Sequence, residues 1–204
     1  EDPRRLYAED TGRSQLTAEG PDFGISPIRG AQAWFGGTYS RQMQGVNIPV
    51  VTHEMGQWCA YPDFDLIKKF TGYLRPGNYE IFRDSAEKHG VLDRDKEFAF
   101  ASGKFQVACY KEDIESNLRT PELSDGRLLD LHDYLGQGGA RIGILDTFWQ
   151  SKGYETAKEW REFCSPIVPV AAVKDRVYRT GDTLQAPVMV AQFGLAMAVH
   201  VPVS

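Results

Sequence analysis

The run Val46-Asn47-Ile48-Pro49-Val50-Val51-Thr52 constrains this chain more than any other stretch. It is a β-branched run, with Val46, Ile48, Val50, Val51 and Thr52, bounded by polar residues, and it reads as a buried strand. Strands of that kind belong to buried parallel sheets, and parallel neighbours need a crossover of a dozen residues or more. A parallel strand over 46–52 therefore predicts an α/β fold. The strand runs directly into His53-Glu54-Met55-Gly56-Gln57-Trp58. That places an ionisable residue at its C-terminal end, where parallel sheets and barrels collect their reactive groups.

The rest of the chain supplies the crossover. Residues 5–8 read as a short strand, followed by a loop up to Gly30 and a short helix within 31–44 that carries Trp34, Phe35 and Tyr39. From 63 to 120 the pattern is helical. A short helix is expected over 63–70 and a second over 77–89, stopped by Gly90. A third runs from about 93 to 118, with Phe98, Ala101, Phe105, Ala108 and Cys109 on one face. Pro121 and Ser124-Asp125-Gly126 end this block. A second buried strand follows over 127–131 and leads into His132-Asp133-Tyr134 and Gly136-Gln137-Gly138-Gly139. Residues 142–145 are apolar again. Thr156 and Glu159 have the spacing of a capping box, opening a helix that ends near Cys164. Beyond Pro166 only strand patterns remain, at 167–173, 177–179 and 186–192, the opening of an antiparallel sandwich.

Composition narrows the partners. With 204 residues, 42% of them hydrophobic, the chain can bury the core of one or two domains. The 23 basic residues are outnumbered by 28 acidic ones, and a net charge of -5 does not provide the basic surface that nucleic acid requires. No apolar run approaches the roughly 20 residues of a membrane span. An uncharged or weakly charged partner is expected. Cys59, Cys109 and Cys164 lie too far apart for a disulfide scaffold or a zinc pattern and read as ordinary buried thiols. The chain begins Glu1-Asp2-Pro3 without a Met and stops at Val201-Pro202-Val203-Ser204 within a strand pattern. It therefore reads as a piece of a longer parent polypeptide.

Three chemistries are tested and set aside. A zinc-protease helix would need a second His four residues after His53, and position 57 is Gln57. A dinucleotide loop at Gly136-Gln137-Gly138 would need glycine at 141, which is Arg141. A serine nucleophile has no Gly-x-Ser-x-Gly elbow. No metal and no cofactor are expected. Glu54 remains, weighed against the plain alternative of a solvated loop carboxylate. Around it, His53, Gly56, Gln57 and Trp58 combine hydrogen-bonding, small and aromatic side chains, the mixture a sugar needs for its hydroxyls and its flat apolar face. Trp34 and Trp58 stand between sugar platform and packing. Trp149 and Trp160 read as core, His89 as a solvated helix cap, and His200 as an outward-facing strand residue.

Ile48-Pro49-Val50-Val51-Thr52-His53-Glu54-Met55-Gly56 resembles the seventh barrel strand of glycoside hydrolase family 2, the family of β-galactosidases, β-glucuronidases and β-mannosidases. The resemblance implies the C-terminal portion of a (β/α)8 TIM barrel over 1–166, with a helical insertion at about 61–120. The first strands of an immunoglobulin-like β-sandwich would then occupy 167–204. It makes Glu54 the nucleophile of a retaining hydrolysis of terminal β-linked sugars. His53, Trp34, Trp58, Asp130, His132, Asp133, Tyr134 and Gln137 become the substrate-contact candidates. Residues 127–138 stand for the eighth strand and its loop, and Arg4-Arg5-Leu6-Tyr7 resembles the fifth or sixth. The family's Asn-Glu pair, whose Glu is the general acid/base, does not occur and is expected upstream, so the fragment alone should not turn over. An oligo- or polysaccharide is the implied substrate, and a secreted or periplasmic location is favoured. Two rivals remain: a non-catalytic carbohydrate-binding relative of the same fold, and a scaffold in which Glu54, Trp58 and His132 are buried and structural.

Overall fold

The structure, a computed structural model, describes residues 2–8, 22–27, 30–134 and 140–194. The chain forms two compact units, one made of residues 1–56, 111–128 and 157–204 and the other of 57–110 and 129–156. The boundary expected at 166/167 falls inside the first of these.

The first unit contains a three-stranded sheet in the order β1-β2-β3, with β1 at Gly24–Pro27, β2 at Val50–Gly56 and β3 at Leu123–Leu129. β1 and β2 are parallel, paired from Gly24 opposite Val50 to Pro27 opposite His53. The parallel strand foreseen at 46–52 therefore exists but starts and ends four residues later. The Gly24 N–H donates to Pro49 O at 2.8 Å, and pairing starts where β1 begins, at Gly24 opposite Val50. β1 lies where a loop was expected, and the strand expected at 5–8 is not one. Residues 30–49 form turns rather than a helix. Phe35 and Gly36 adopt left-handed φ values of 58° and 76°, and a Cβ on Gly36 would sit 2.7 Å from the carbonyl carbon of Ala172. A helix cannot pass through that geometry.

These turns are pegged by the last eight residues of α2 (Asp95–Leu118) and the loop after it. Ser116 Oγ donates to Ala33 O at 2.7 Å, Arg119 Nε to Gly37 O at 3.1 Å, and the Tyr39 N–H to Thr120 Oγ1 at 2.9 Å. The pegging brings Ala33, Tyr39 and Met43 onto Val50 and Leu123 as a buried cluster. Each fully buried side chain of this size contributes about 1.5–3 kcal/mol.

After the five-residue helix α3 (Ala157–Arg161), β4 (Ile167–Ala171) and β5 (Val188–Gln192) pair antiparallel, from Ile167 opposite Gln192 to Ala171 opposite Val188. Val168 and Val170 point inward at 1% exposure while Ile167 and Pro169 face out, the period-two alternation of a half-buried strand. The strand expected at 177–179 is a loop closed by a turn in which the Asp182 N–H donates to Arg179 O at 3.0 Å. Lys174, Asp175, Arg176 and Arg179 leave Val177 no apolar face to join, and it is 87% exposed. The expectation for 195–204, including His200, lies outside the described residues.

The second unit is mainly helical. Asp63 caps a 3-10 helix at Phe64–Lys69, its carboxylate accepting the Asp65 N–H at 2.9 Å. Helix α1 (Gly77–Lys88) ends at His89, whose Nδ1 lies 2.7 Å from Ser85 O, and Gly90 turns left-handed to stop it. A second 3-10 turn, Leu92–Arg94, leads into α2. Phe64, Leu66, Tyr79 and Ala86 form the core, with Tyr61, Ile67, Phe70, Val91 and Leu92 packed on it.

Of the face expected to bury α2, Cys109 is buried and Phe98 half-buried, but the other three residues are not. Phe105 is 70% exposed and Ala101 and Ala108 are exposed, whereas Gln106, Val107 and Tyr110 are buried. The buried face works by hydrogen bonding: Gln106 Nε2 donates to Trp58 O and Arg141 O, and the Tyr110 hydroxyl to Ile142 O at 2.6 Å. A polar face that meets loop carbonyls carries no hydrophobic period to read. All three cysteines are free, and only Cys109 is buried, so the expectation of three buried thiols fails at Cys59 and Cys164. No described helix is long and apolar enough to cross a membrane.

Candidate functional site

In the first unit the site is the end of β2. The ladder with β1 stops at His53, so Glu54 is the first residue beyond it, at the C-terminal end of a parallel strand. Strict alternation would bury Glu54 on the side of Val50 and Thr52, which are 1% and 0% exposed. Instead Glu54 takes a left-handed φ of 55°, Gly56 one of 102° and Gln57 one of 66°. The burial alternation breaks at this point: His53 and Glu54 are both half-buried, and Met55 and Gly56 are buried in succession. A left-handed non-glycine residue costs about 1–2 kcal/mol, and such costs concentrate where a side chain must be aimed. Here the aimed side chain is a carboxylate. Trp34 also lies in this unit, half-buried, with its indole N–H donated to the buried carboxylate of Asp113 at 2.5 Å. That hydrogen bond belongs to packing.

The other candidates lie in the second unit. Trp58 is half-buried, Tyr134 is half-buried with its N–H on Ala140 O at 3.1 Å, and Gln137 lies outside the described residues. Asp133 is buried and engaged by its neighbours. Its side chain is 3% exposed and held by Lys152 Nζ, 2.8 Å from each oxygen, while the Gly143 N–H donates to Oδ1 at 2.9 Å. Burial pushes the Asp133 carboxyl above its usual value, against the pull of Lys152, and burial likewise pushes the Lys152 ammonium below its own. Lys152 donates its remaining bond to Gly143 O at 2.7 Å. This pair borders a cavity of about 300 Å³ in which Lys69 is paired with Asp146, and Lys96 with Asp63 and Asp65.

Asp130 and His132 are brought together, the imidazole Nδ1 3.8 Å from Asp130 Oδ2, and both side chains are partly open to solvent. The His132 ring packs edge-on against Trp149, with centroids 4.1 Å apart at 77°. Trp149 was expected in the core and is 61% exposed. It sits in a tight loop between Leu145 and Ser151, which bridge antiparallel. The Trp149 N–H donates to Asp146 O at 3.0 Å, the Asp146 N–H to Gln150 O at 2.8 Å, and Trp149 itself has φ 63°. Asp146 organises the loop. Its Oδ1 accepts the N–H groups of Phe148 and Gln150 at 2.8 and 3.0 Å, and its Oδ2 accepts Lys69 Nζ at 2.8 Å.

Asp146 was not singled out from the sequence, although an Asp opening a turn is a readable signal. Lys152 gave no signal at all. Among the described residues no group of three or more His, Cys, Asp or Glu side chains is placed to hold a metal ion. No protein-family model matches the chain, and comparison with curated proteins gives no match.

Proposed function

We propose that the chain is part of a retaining glycoside hydrolase similar to family 2, acting on terminal β-linked sugars with Glu54 as nucleophile. The observation that carries this reading is the position of Glu54: first residue past a parallel ladder, half-buried, on a backbone turned out of the strand's alternation. The sheet order β1-β2-β3, which follows the chain and has β1 and β2 parallel, supports a barrel origin.

In this chemistry the Glu54 carboxylate attacks the anomeric carbon and forms an ester as the glycosidic C–O bond breaks. A second carboxylic acid, about 5–5.5 Å away, gives its proton to the leaving oxygen and then takes one from the water that cleaves the ester. The proposal puts that acid outside residues 1–204, so the assay uses the full encoded polypeptide. A 2-deoxy-2-fluoro β-glycoside with a good leaving group slows ester hydrolysis and should trap the intermediate. Mass spectrometry of the digested protein is expected to find the sugar on the peptide carrying Glu54. Labelling elsewhere, or full activity in Glu54→Gln, would dismiss the assignment.

A further inference from the structure

The loop that carries Trp149 is built in a way that packing does not explain. A turn closed by Trp149 N–H to Asp146 O, followed by a left-handed residue and a return pair between Asp146 and Gln150, is the three-residue hairpin loop with a bulge. Glycine is the ordinary occupant of that left-handed position, because it alone adopts the conformation without a Cβ penalty. Here the position holds the bulkiest side chain available, and the indole is 61% exposed. Burial of the ring therefore returns little of what the backbone gives up. Asp146, itself 3% exposed, places five hydrogen bonds around the turn, and Lys69 clamps it from outside through Asp146 and through Gln150 Oε1 at 2.6 Å. The base of the loop is tied to the next feature. Leu145 donates to Leu131 O at 3.0 Å and accepts the Asp133 N–H at 3.0 Å, gripping the chain on both sides of His132.

From this we infer that Trp149, with His132 and Asp130, is a preorganised stacking subsite for a pyranose ring in the second unit. The ring's C–H face lies on the indole and its hydroxyls reach the Asp130 carboxylate and the imidazole. The choice of a sugar rests on the carbohydrate reading above. The geometry adds its own reason. A flat apolar face beside a carboxylate and an imidazole suits a neutral polyhydroxylated ring, whose C–H groups stack while its hydroxyls donate. Asp146 is a positioning residue here. It touches no sugar and acts by holding Trp149.

The experiment measures binding by calorimetry on the full encoded polypeptide carrying Glu54→Gln, which prevents turnover. The probes are the methyl β-glycosides of galactose, glucose, mannose and glucuronic acid and their β-linked disaccharides, with open-chain glucitol as the control that has no ring face. At least one glycoside should bind and glucitol should not. Adding Trp149→Gly should weaken that binding about tenfold or more, while the melting temperature stays equal or rises, because glycine suits the left-handed position. Trp149→Phe should lose less. Asp146→Ala should weaken binding with Trp149 still present.

Binding by Trp149→Gly equal to that of its parent would overturn the subsite, as would a fall of several degrees in its melting temperature or the absence of binding to every probe. The nucleophile fails separately. Wild-type turnover in Glu54→Gln would dismiss Glu54 and leave the stacking result to be read by itself, whereas a trapped ester on Glu54 with unchanged binding in Trp149→Gly would dismiss only the subsite.

Discussion

Replacing Lys152 by Met tests whether the buried pair with Asp133 is held by mutual attraction against a large desolvation cost. The two side chains are 13% and 3% exposed, with Nζ 2.8 Å from the carboxylate. At an effective dielectric of about 20, unit charges at that distance attract by about 6 kcal/mol. Several kcal/mol per ion is spent on leaving water, so the pair as a whole contributes little. Removing Lys152 deletes the attraction and leaves the cost. Met fills the aliphatic stem's space, which keeps packing out of the result. The loss has a ceiling, because Asp133 can take up a proton. At pH 7, protonating a carboxyl with an ordinary value near 3.9 costs about 4 kcal/mol, and at pH 5 about 1.5 kcal/mol.

The sign follows from the direction already present in the native protein, where burial raises the Asp133 pKa. In the variant the folded value rises further. The variant is then least impaired below the unfolded value, and its stability falls as pH rises towards the new folded value. Urea unfolding of Lys152→Met should show a loss of about 3–4 kcal/mol at pH 7 and about half that at pH 5. The double variant Asp133→Asn/Lys152→Met, which removes both charges and keeps an acceptor for the Gly143 N–H, should lie within about 1 kcal/mol of wild type at both pH values. A loss under 1 kcal/mol at pH 7, or one that does not shrink towards acid, would refute this account.

Four further outcomes are expected. Glu54→Gln in the full encoded polypeptide should fold and bind sugar but lose turnover on aryl β-glycosides by about 10³-fold or more, since an amide cannot form the ester. Azide supplied to Glu54→Ala should give a glycosyl azide of inverted configuration, and a retained product would move Glu54 to the acid/base role. Gly143→Ala should destabilise by about 3 kcal/mol or more in thermal melts, because its Cβ would stand 2.2 Å from the His132 carbonyl carbon and 2.4 Å from Asp133 N, both backbone atoms. A melting temperature equal to wild type would contradict that packing. Burial pushes the Asp146 carboxyl up, but Lys69 and the N–H groups of Gln150 and Phe148 outweigh it and hold the pKa below its usual value. Its contribution should be present above about pH 4 and be lost as the pH falls through the depressed folded value. Amide exchange at Phe148 and Gln150 should accelerate there, and an Asp146→Asn variant with the same acid dependence as wild type would refute the link.

What was legible in the sequence is what short stretches of chain decide for themselves. The Asp63 cap, the helix from Gly77 to its stop at Gly90, the far end of α2 at Leu118 and the alternation of β4 all depend on neighbours within one or two turns. The β-branched run at 46–52 likewise announces a strand. Where that strand begins pairing, four residues later, depends on β1, a partner about 26 residues away whose own sequence, Gly24-Ile25-Ser26-Pro27, has no strand signal. The buried face of α2 was misread for a related reason. Gln106 and Tyr110 are inside because loop carbonyls at Trp58, Arg141 and Ile142 need donors, and those carbonyls come together only in the folded unit. The candidate site divides along the same line. Glu54 was visible as a carboxylate ending a parallel strand, but its left-handed backbone was not. Asp133 looked like a substrate contact until Lys152, 19 residues on, claimed it. Trp149 looked like core because large aromatic side chains usually are. Only the hairpin loop, closed between Asp146 and Gln150 and anchored through Leu145 to the chain around His132, turns it towards water. Local chemistry fixes an element's type, whereas the direction of a side chain depends on contacts that exist only after distant segments have met.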